Sequence, residues 1–224
     1  MKVLLFGATG MVGQGVLREC LAAPDVTLVQ TVGRSATGVR HPKLREVMRP
    51  DLTDLAPLAD ELAGFDACFF CLGVSSFRMA EADYTRLTYD LTLGIAQVLA
   101  PLNPAMTFIY VSGTGTDSSE QGRVMWARVK GRTENALRRL PFRAVYLFRP
   151  GAIVPMHGER PRAAAYRVLG PLLLPLLPLA RRLFPDSVTT TEIMGRAMLN
   201  AVRRGAEQPV LEPRDINALA NGSA

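Results

Sequence analysis

Cysteine is scarce. The chain has three, Cys20, Cys68 and Cys71, an odd number that suits reduced, buried thiols better than a disulfide framework. Cys68 and Cys71 spell C-x-x-C, but they fall in an apolar run expected as a strand. Residues three apart on a strand face opposite sides, and no second pair completes a zinc set, so no metal site is expected. Lysine is as rare, occurring only at Lys2, Lys43 and Lys130 in a chain whose other cations are arginines. Those arginines form no run; the pairs Arg138-Arg139, Arg181-Arg182 and Arg203-Arg204 sit near the ends of expected helices, where cations complement the dipole. A net charge of +6 permits attraction to polyanions, phosphate-bearing cofactors among them, but its scatter is not the footprint of specific nucleic-acid binding. Long apolar runs are missing too. Val168 to Ala180 falls short of the ~20 residues of a spanning helix and is broken by prolines, so burial under a lobe or at a subunit contact is expected, rather than docking onto a membrane surface. Met1 to Phe6 runs straight into Gly7 with neither a long apolar segment nor a small-residue cleavage site, which leads us to expect a cytoplasmic protein.

What is present is a βαβ rhythm. Apolar, β-branched runs predict strands at Lys2 to Phe6, Thr27 to Val32, Arg45 to Arg49, Ala67 to Leu72, Met106 to Ser112 and Arg143 to Arg149. Helical patterns lie between them at Val12 to Ala23, Leu55 to Ala63, Ala80 to Leu102 and Val124 to Leu140, with Leu87, Leu91, Gly94, Ile95, Val98 and Leu99 forming one apolar stripe. Pro101 and Pro141 punctuate the last two. Strands alternating with helices build a parallel sheet covered on both faces, so the expected fold is α/β, a Rossmann-like doubly wound parallel sheet. After Arg149-Pro150-Gly151 the chain turns proline-rich, and a helix from Glu192 to Val202 follows the cap candidates Thr189-Thr190-Thr191. A single domain over residues 1–224 is expected, with a small, mostly helical substrate lobe over 151–224.

The first turn carries chemistry. In Gly7-Ala8-Thr9-Gly10-Met11-Val12-Gly13, a strand precedes and a helix follows the glycines, the context that a dinucleotide fingerprint requires. Gly7 permits the tight turn, Gly10 lets the backbone approach a pyrophosphate, and Gly13 lets helix pack on strand. The pyrophosphate would rest on free amides at the helix start. At the end of the second strand, where an acidic residue would hold the ribose diol of NAD, the chain reads Gly33-Arg34-Ser35. A guanidinium and a hydroxyl there favour NADP(H) over NAD(H). Asp51-Leu52 follows the third strand: Asp51 either accepts from the adenine amino group or caps the next short helix. Leu72-Gly73 would line the crevice where the cofactor crosses the sheet.

With Gly7 to Gly13, Asp51-Leu52, Cys71-Leu72-Gly73, Val111-Ser112-Gly113, Lys130 and Arg149-Pro150-Gly151, the chain resembles the extended or atypical short-chain dehydrogenases/reductases. It is most similar to the epimerase-like proteins related to the Tat-interacting oxidoreductase, at Val129-Lys130-Gly131 and Arg196-Ala197-Met198-Leu199. The resemblance implies a serine at the end of the fifth strand that orients a carbonyl and a Tyr-x-x-x-Lys whose lysine holds the ribose. Ser112 and Lys130 match and are the catalytic candidates; four residues before Lys130 stands Trp126. An indole N–H donates a hydrogen bond but exchanges no proton near neutral pH. Tyr84, Tyr89, Tyr166 and His157 are open as replacements. Two functions stay open: an NADPH-dependent oxidoreductase acting on a small carbonyl or related substrate, and a dinucleotide-binding sensor without turnover. Epimerisation suffers most from the missing tyrosine. Neither substrate nor homo-oligomer formation follows from these residues.

Overall fold

The computed structural model describes residues 1–159 and 187–222. β1 (Lys2–Phe6) leads into α1 (Met11–Ala22), then β2 (Leu28–Gly33) and β3 (Leu44–Met48). A 3-10 turn (Ala56–Leu58) and the short α2 (Ala59–Leu62) precede β4 (Ala67–Phe70). Next come α3 (Glu81–Thr85), a π-helical turn (Arg86–Asp90), α4 (Leu91–Leu102), β5 (Thr107–Val111), α5 (Met125–Leu137) and β6 (Ala144–Phe148). β7 (Ala152–Val154), β8 (Val188–Thr190), α6 (Thr191–Arg204), β9 (Val210–Leu211) and α7 (Pro213–Ala220) complete the described elements. The six strands expected from the sequence are all present, each within two residues of its expected ends.

The main sheet is parallel throughout, in the order β3-β2-β1-β4-β5-β6-β9. Chain direction across the sheet reverses between β1 and β4, where Phe6 is paired with Val32 on one side and Phe70 on the other. A crevice outside the strand C-termini is expected at such a reversal. Alternation along each strand divides the core. Val3, Leu5 and Phe69 pack with Val16, Leu17 and Cys20 of α1 and with Met194, Ala197 and Met198 of α6. Leu4, Phe6, Cys68 and Phe70 face Leu62, Ile95, Leu99 and Leu137 on the opposite side. The fold is thus the doubly wound, Rossmann-like α/β sheet.

Two departures have physical reasons. Leu87, expected in the apolar stripe, is 40% exposed: the π-helical turn inserts one residue and swings what precedes it about 100° around the axis. Residues 191–222, expected in a separate lobe, lie on the sheet itself. α6 lies along α1 closely enough that a Cβ on Gly195 would stand 2.7 Å from the Cβ of Glu19. Arg196 reaches Glu19 at 3.3 Å, and Arg203 grips Asp25 at 2.5 and 3.0 Å. β9 adds a seventh strand beside β6. The cap is as expected, with the Thr190 hydroxyl accepting from the Ile193 amide at 3.0 Å. Tyr166 and the run Val168 to Ala180 lie outside the described residues.

Candidate functional site

The N-terminal turn has little room for side chains. Gly7 adopts φ +81°, and a Cβ there would come within 2.6 Å of the Cys71 carbonyl. A Cβ on Gly13 would lie 2.1 Å from the Gly7 oxygen. Gly10 donates its amide to the Gly7 carbonyl at 2.9 Å and begins α1 with no side chain capping it, so the first amides of the helix, at Met11, Val12 and Gly13, face the turn without a side-chain acceptor. Thr9 is tied down by its carbonyl, which accepts from Gln14 Nε2 at 3.0 Å.

Beside this turn, a cleft of about 290 Å³ opens over the C-terminal ends of β1, β2 and β3. Of the residues singled out in the sequence, Gly7, Thr9, Arg34, Leu52 and Leu72 line it. Arg34 is exposed and, among the described residues, has neither a hydrogen-bond nor an ion-pair partner. Asp51 does not line it: its Oδ1 accepts from the Thr53 amide at 2.8 Å and hydroxyl at 2.7 Å, holding its carboxyl below the usual range in a local turn. Gly73 follows Leu72 at the exposed rim. β3 brings a carboxylate that the sequence reading did not single out, Glu46, into the same cleft as Arg34, with Oε1 accepting from the Thr37 amide at 2.7 Å. The sequence signal was the parallel register that sets Glu46 opposite Thr31, invisible until the pairing is known.

Farther along the sheet, Ser112 follows β5 and Lys130 sits on α5. The Lys130 ammonium donates to the Ser112 carbonyl. Burial pulls the Lys130 amine down to about 8, opposed by the Glu134 carboxylate one turn on. Ser112 departs from expectation. Its side chain turns into the interior, 6% exposed, where Oγ donates to Glu134 Oε1 at 2.5 Å and lies 3.2 Å from the Phe148 carbonyl. Glu134, 1% exposed, forms a two-point pair with Arg149 at 2.5 and 3.1 Å. Arg149 in turn reaches Ser118 Oγ at 2.6 Å and Glu212 at 3.3 Å. A buried carboxylate with two charge-assisted partners is locked in one rotamer. Sequence reading missed Glu134, although its spacing of four from Lys130 puts both on one helix face.

Trp126 is half-buried against the loop after β5, with ring atoms 3.5 Å from where a Gly115 Cβ would lie. Each described candidate to replace the tyrosine has a local partner. Tyr84 is buried, which raises its phenol, and it bonds Thr88. The Tyr89 ring carries the Arg132 guanidinium at 4.2 Å. His157 lies 3.4 Å from Glu192 and lines a second groove beside α1 with His41, Gln14 and Arg18; neither Ser112 nor Lys130 lines it. Cys68 packs on one face of the sheet and Cys71 on the other.

No family model matches the chain. Over 163 residues it is 28% identical to the protein fmp52-2, mitochondrial, of Aspergillus oryzae, covering 71% of this chain and 69% of that one. Over 155 residues it is 27% identical to the rat protein HTATIP2, covering 68% of this chain and 63% of that protein. Among solved structures, a dTDP-glucose 4,6-dehydratase from Streptomyces venezuelae with NAD and TYD bound superimposes with a TM-score of 0.67 at 18% identity, over 99% of this chain and 80% of that one. The Bordetella bronchiseptica enzyme WbmF in complex with NAD+ gives 0.67 at 15% identity, over 99% and 77%. The expected cytoplasmic location is overturned by these relatives, since the fmp52 proteins are named mitochondrial. By sequence the chain is similar to the fmp52 and HTATIP2 proteins, and its fold is the Rossmann-like α/β fold of these solved enzymes.

Proposed function

We propose that this chain is an NADP(H)-dependent oxidoreductase acting on a small carbonyl compound. The observation that carries the reading is the cleft itself: the crowded backbone of Gly7 and the guanidinium of Arg34, which has no partner among the described residues, line it together, next to a turn that runs on into the uncapped start of α1. These residues fit a dinucleotide. A Cβ at Gly13 would push the turn apart, and the free amides of α1 suit a diphosphate. Gly7, Thr9, Gly10, Met11, Val12 and Gly13 would hold the diphosphate, Leu52, Leu72 and Gly73 the faces of the cofactor, and Arg34 with Ser35 a 2′-phosphate. Asp51 shapes the loop that carries Leu52. Bound NADPH would supply a hydride to an electrophilic carbon. Lys130 would hold the nicotinamide ribose, fixed from behind by the Ser112 carbonyl. Ser112 acts through that carbonyl and through its grip on Glu134 rather than by touching substrate.

Two observations favour a second reading, binding without turnover: Trp126 stands where a proton-exchanging tyrosine is wanted, and the Ser112 hydroxyl points inward. Glu46 bears on the choice of cofactor. It shares the cleft with Arg34; one oxygen accepts from the Thr37 amide, and among the described residues neither the carboxylate nor the guanidinium has an ion-pair partner.

Titration with NADPH and NADH, followed by quenching of Trp126 and by calorimetry, tests the reading. Arg34→Ala is expected to weaken NADPH by about 10- to 100-fold, the worth of one or two hydrogen bonds to a charged group, and NADH hardly at all. Equal losses for both cofactors would remove the phosphate role. Failure of the native protein to bind either dinucleotide would remove the function.

A further inference from the structure

Trp126, Lys130 and Glu134 follow one another at intervals of four on α5, stacked on the face turned toward the end of β5. Each level has a different fate. At the outer level the Trp126 ring lies on Gly115 and has no exchangeable proton near neutral pH. At the inner level Glu134 is held by Ser112 Oγ and by Arg149, which also reaches Glu212. Between them stands the Lys130 ammonium, bonded to a neutral carbonyl and 3.8 Å from the open Cβ position of Gly113. It is half-buried and, among the described residues, has no ion-pair partner.

We infer that Lys130 Nζ itself exchanges the proton with the substrate oxygen, taking over the task of the absent tyrosine. The inference rests on the oxidoreductase reading above. In the reducing direction the hydride and its electron pair reach the carbonyl carbon, the carbonyl π bond breaks, and the oxygen takes a proton from Nζ. The lysine is left as a neutral amine that regains its proton from water. Oxidation of the alcohol is the reverse, with the neutral amine as base.

The surroundings agree. An ammonium with no counter-ion of its own, under partial burial, gives up its proton more readily than a solvated one, in line with an amine brought down to about 8. Its neighbours are few. From α5 there is Glu134, whose carboxylate is held by Arg149 just past β6 and opposes the lowering of the amine. β5 contributes Ser112 and the phenol of Tyr110, which burial keeps protonated. α3 contributes Tyr84 and Glu81, the latter paired with Arg128 at 2.7 Å, and the π-helical turn contributes Tyr89 beneath Arg132.

Only three lysines occur, so Lys130 can be followed by itself. Reductive 13C-dimethylation of the whole protein and NMR titration should show one lysine signal with a midpoint near 8, absent from Lys130→Met. With a 1,2-diketone such as phenanthrenequinone as probe, kcat/KM for NADPH-dependent reduction should be level below that pH and fall tenfold per pH unit above it. Lys130→Arg keeps a cation that cannot deprotonate. At NADPH concentrations that saturate it, as read by Trp126 quenching, it should reduce the diketone about 100- to 1000-fold more slowly than the native protein, with no fall above pH 8. A Lys130 signal titrating at the ordinary lysine value would overturn the inference. So would Lys130→Arg turning over at the native rate, or native protein that binds NADPH but reduces no diketone at any pH. Because dinucleotide binding is read separately by Trp126 quenching, each of these leaves the cofactor site standing, whereas loss of NADPH binding by the native protein removes the oxidoreductase reading along with it.

Discussion

The two halves of the sheet's C-terminal edge are built on opposite plans. Over β1 to β3, the backbone is crowded but the polar groups are left open: α1 starts without a side-chain cap, and Arg34 reaches no partner among the described residues. Over β5 and β6 nearly everything polar is spoken for, with Ser112, Glu134, Arg149, Ser118 and Glu212 in one hydrogen-bonded chain. An open end can take its missing partners from a ligand, and a closed end can only hold a shape. The closed network meets Lys130 at Ser112, whose carbonyl accepts from the ammonium, so it gives that cation a fixed floor.

Substitution should separate the two plans. The largest effect is expected from Glu134→Ala, which strands Arg149 among buried groups; breaking such a pair costs about 3–5 kcal/mol. Chemical denaturation should show that loss, while NADPH affinity of the folded fraction stays near native. An affinity loss as large as the stability loss would mean the ends are not independent. Arg34→Ala is the converse, with NADPH affinity lost and the melting temperature unmoved. Next comes Trp126→Tyr, which returns a phenol four residues before Lys130. Diketone turnover should rise by about tenfold or more. Unchanged turnover would place Trp126 outside the reacting centre. The smallest effect concerns pH. The folded protein lowers the Lys130 amine toward 8 from an ordinary 10.5, so between those values the unfolded chain binds more protons, and stability should rise with pH. Lys130→Met should flatten that slope, as urea denaturation at a series of pH values would show.

How far these features can be read in advance depends on whether they are local. The strands, the glycine turn and the Thr190 cap follow from neighbouring residues, and the structure holds them within a residue or two. Ser112 was visible as a residue but not as a direction, because its hydroxyl is aimed by Glu134, 22 residues on. Glu46 reaches the Arg34 cleft only through strand pairing. Leu87 was misplaced because one extra residue in a helical turn leaves the apolar spacing looking intact. The two-residue β9 lies between Pro209 and Pro213, too short for alternation to register.

The grip of α6 on α1 bears on how this protein is made. The helix that begins at the dinucleotide turn finds its main packing partner some 177 residues later along the chain, where Arg196 meets Glu19. On the ribosome, Val16, Leu17 and Cys20 therefore have to wait, uncovered on that side, until Met194, Ala197 and Met198 have emerged. Contacts of such long range slow folding and leave apolar surface exposed meanwhile. A nascent chain stalled before residue 191 would have every residue of the glycine turn and yet lack the helix that holds α1 in place, making it a natural client for chaperones.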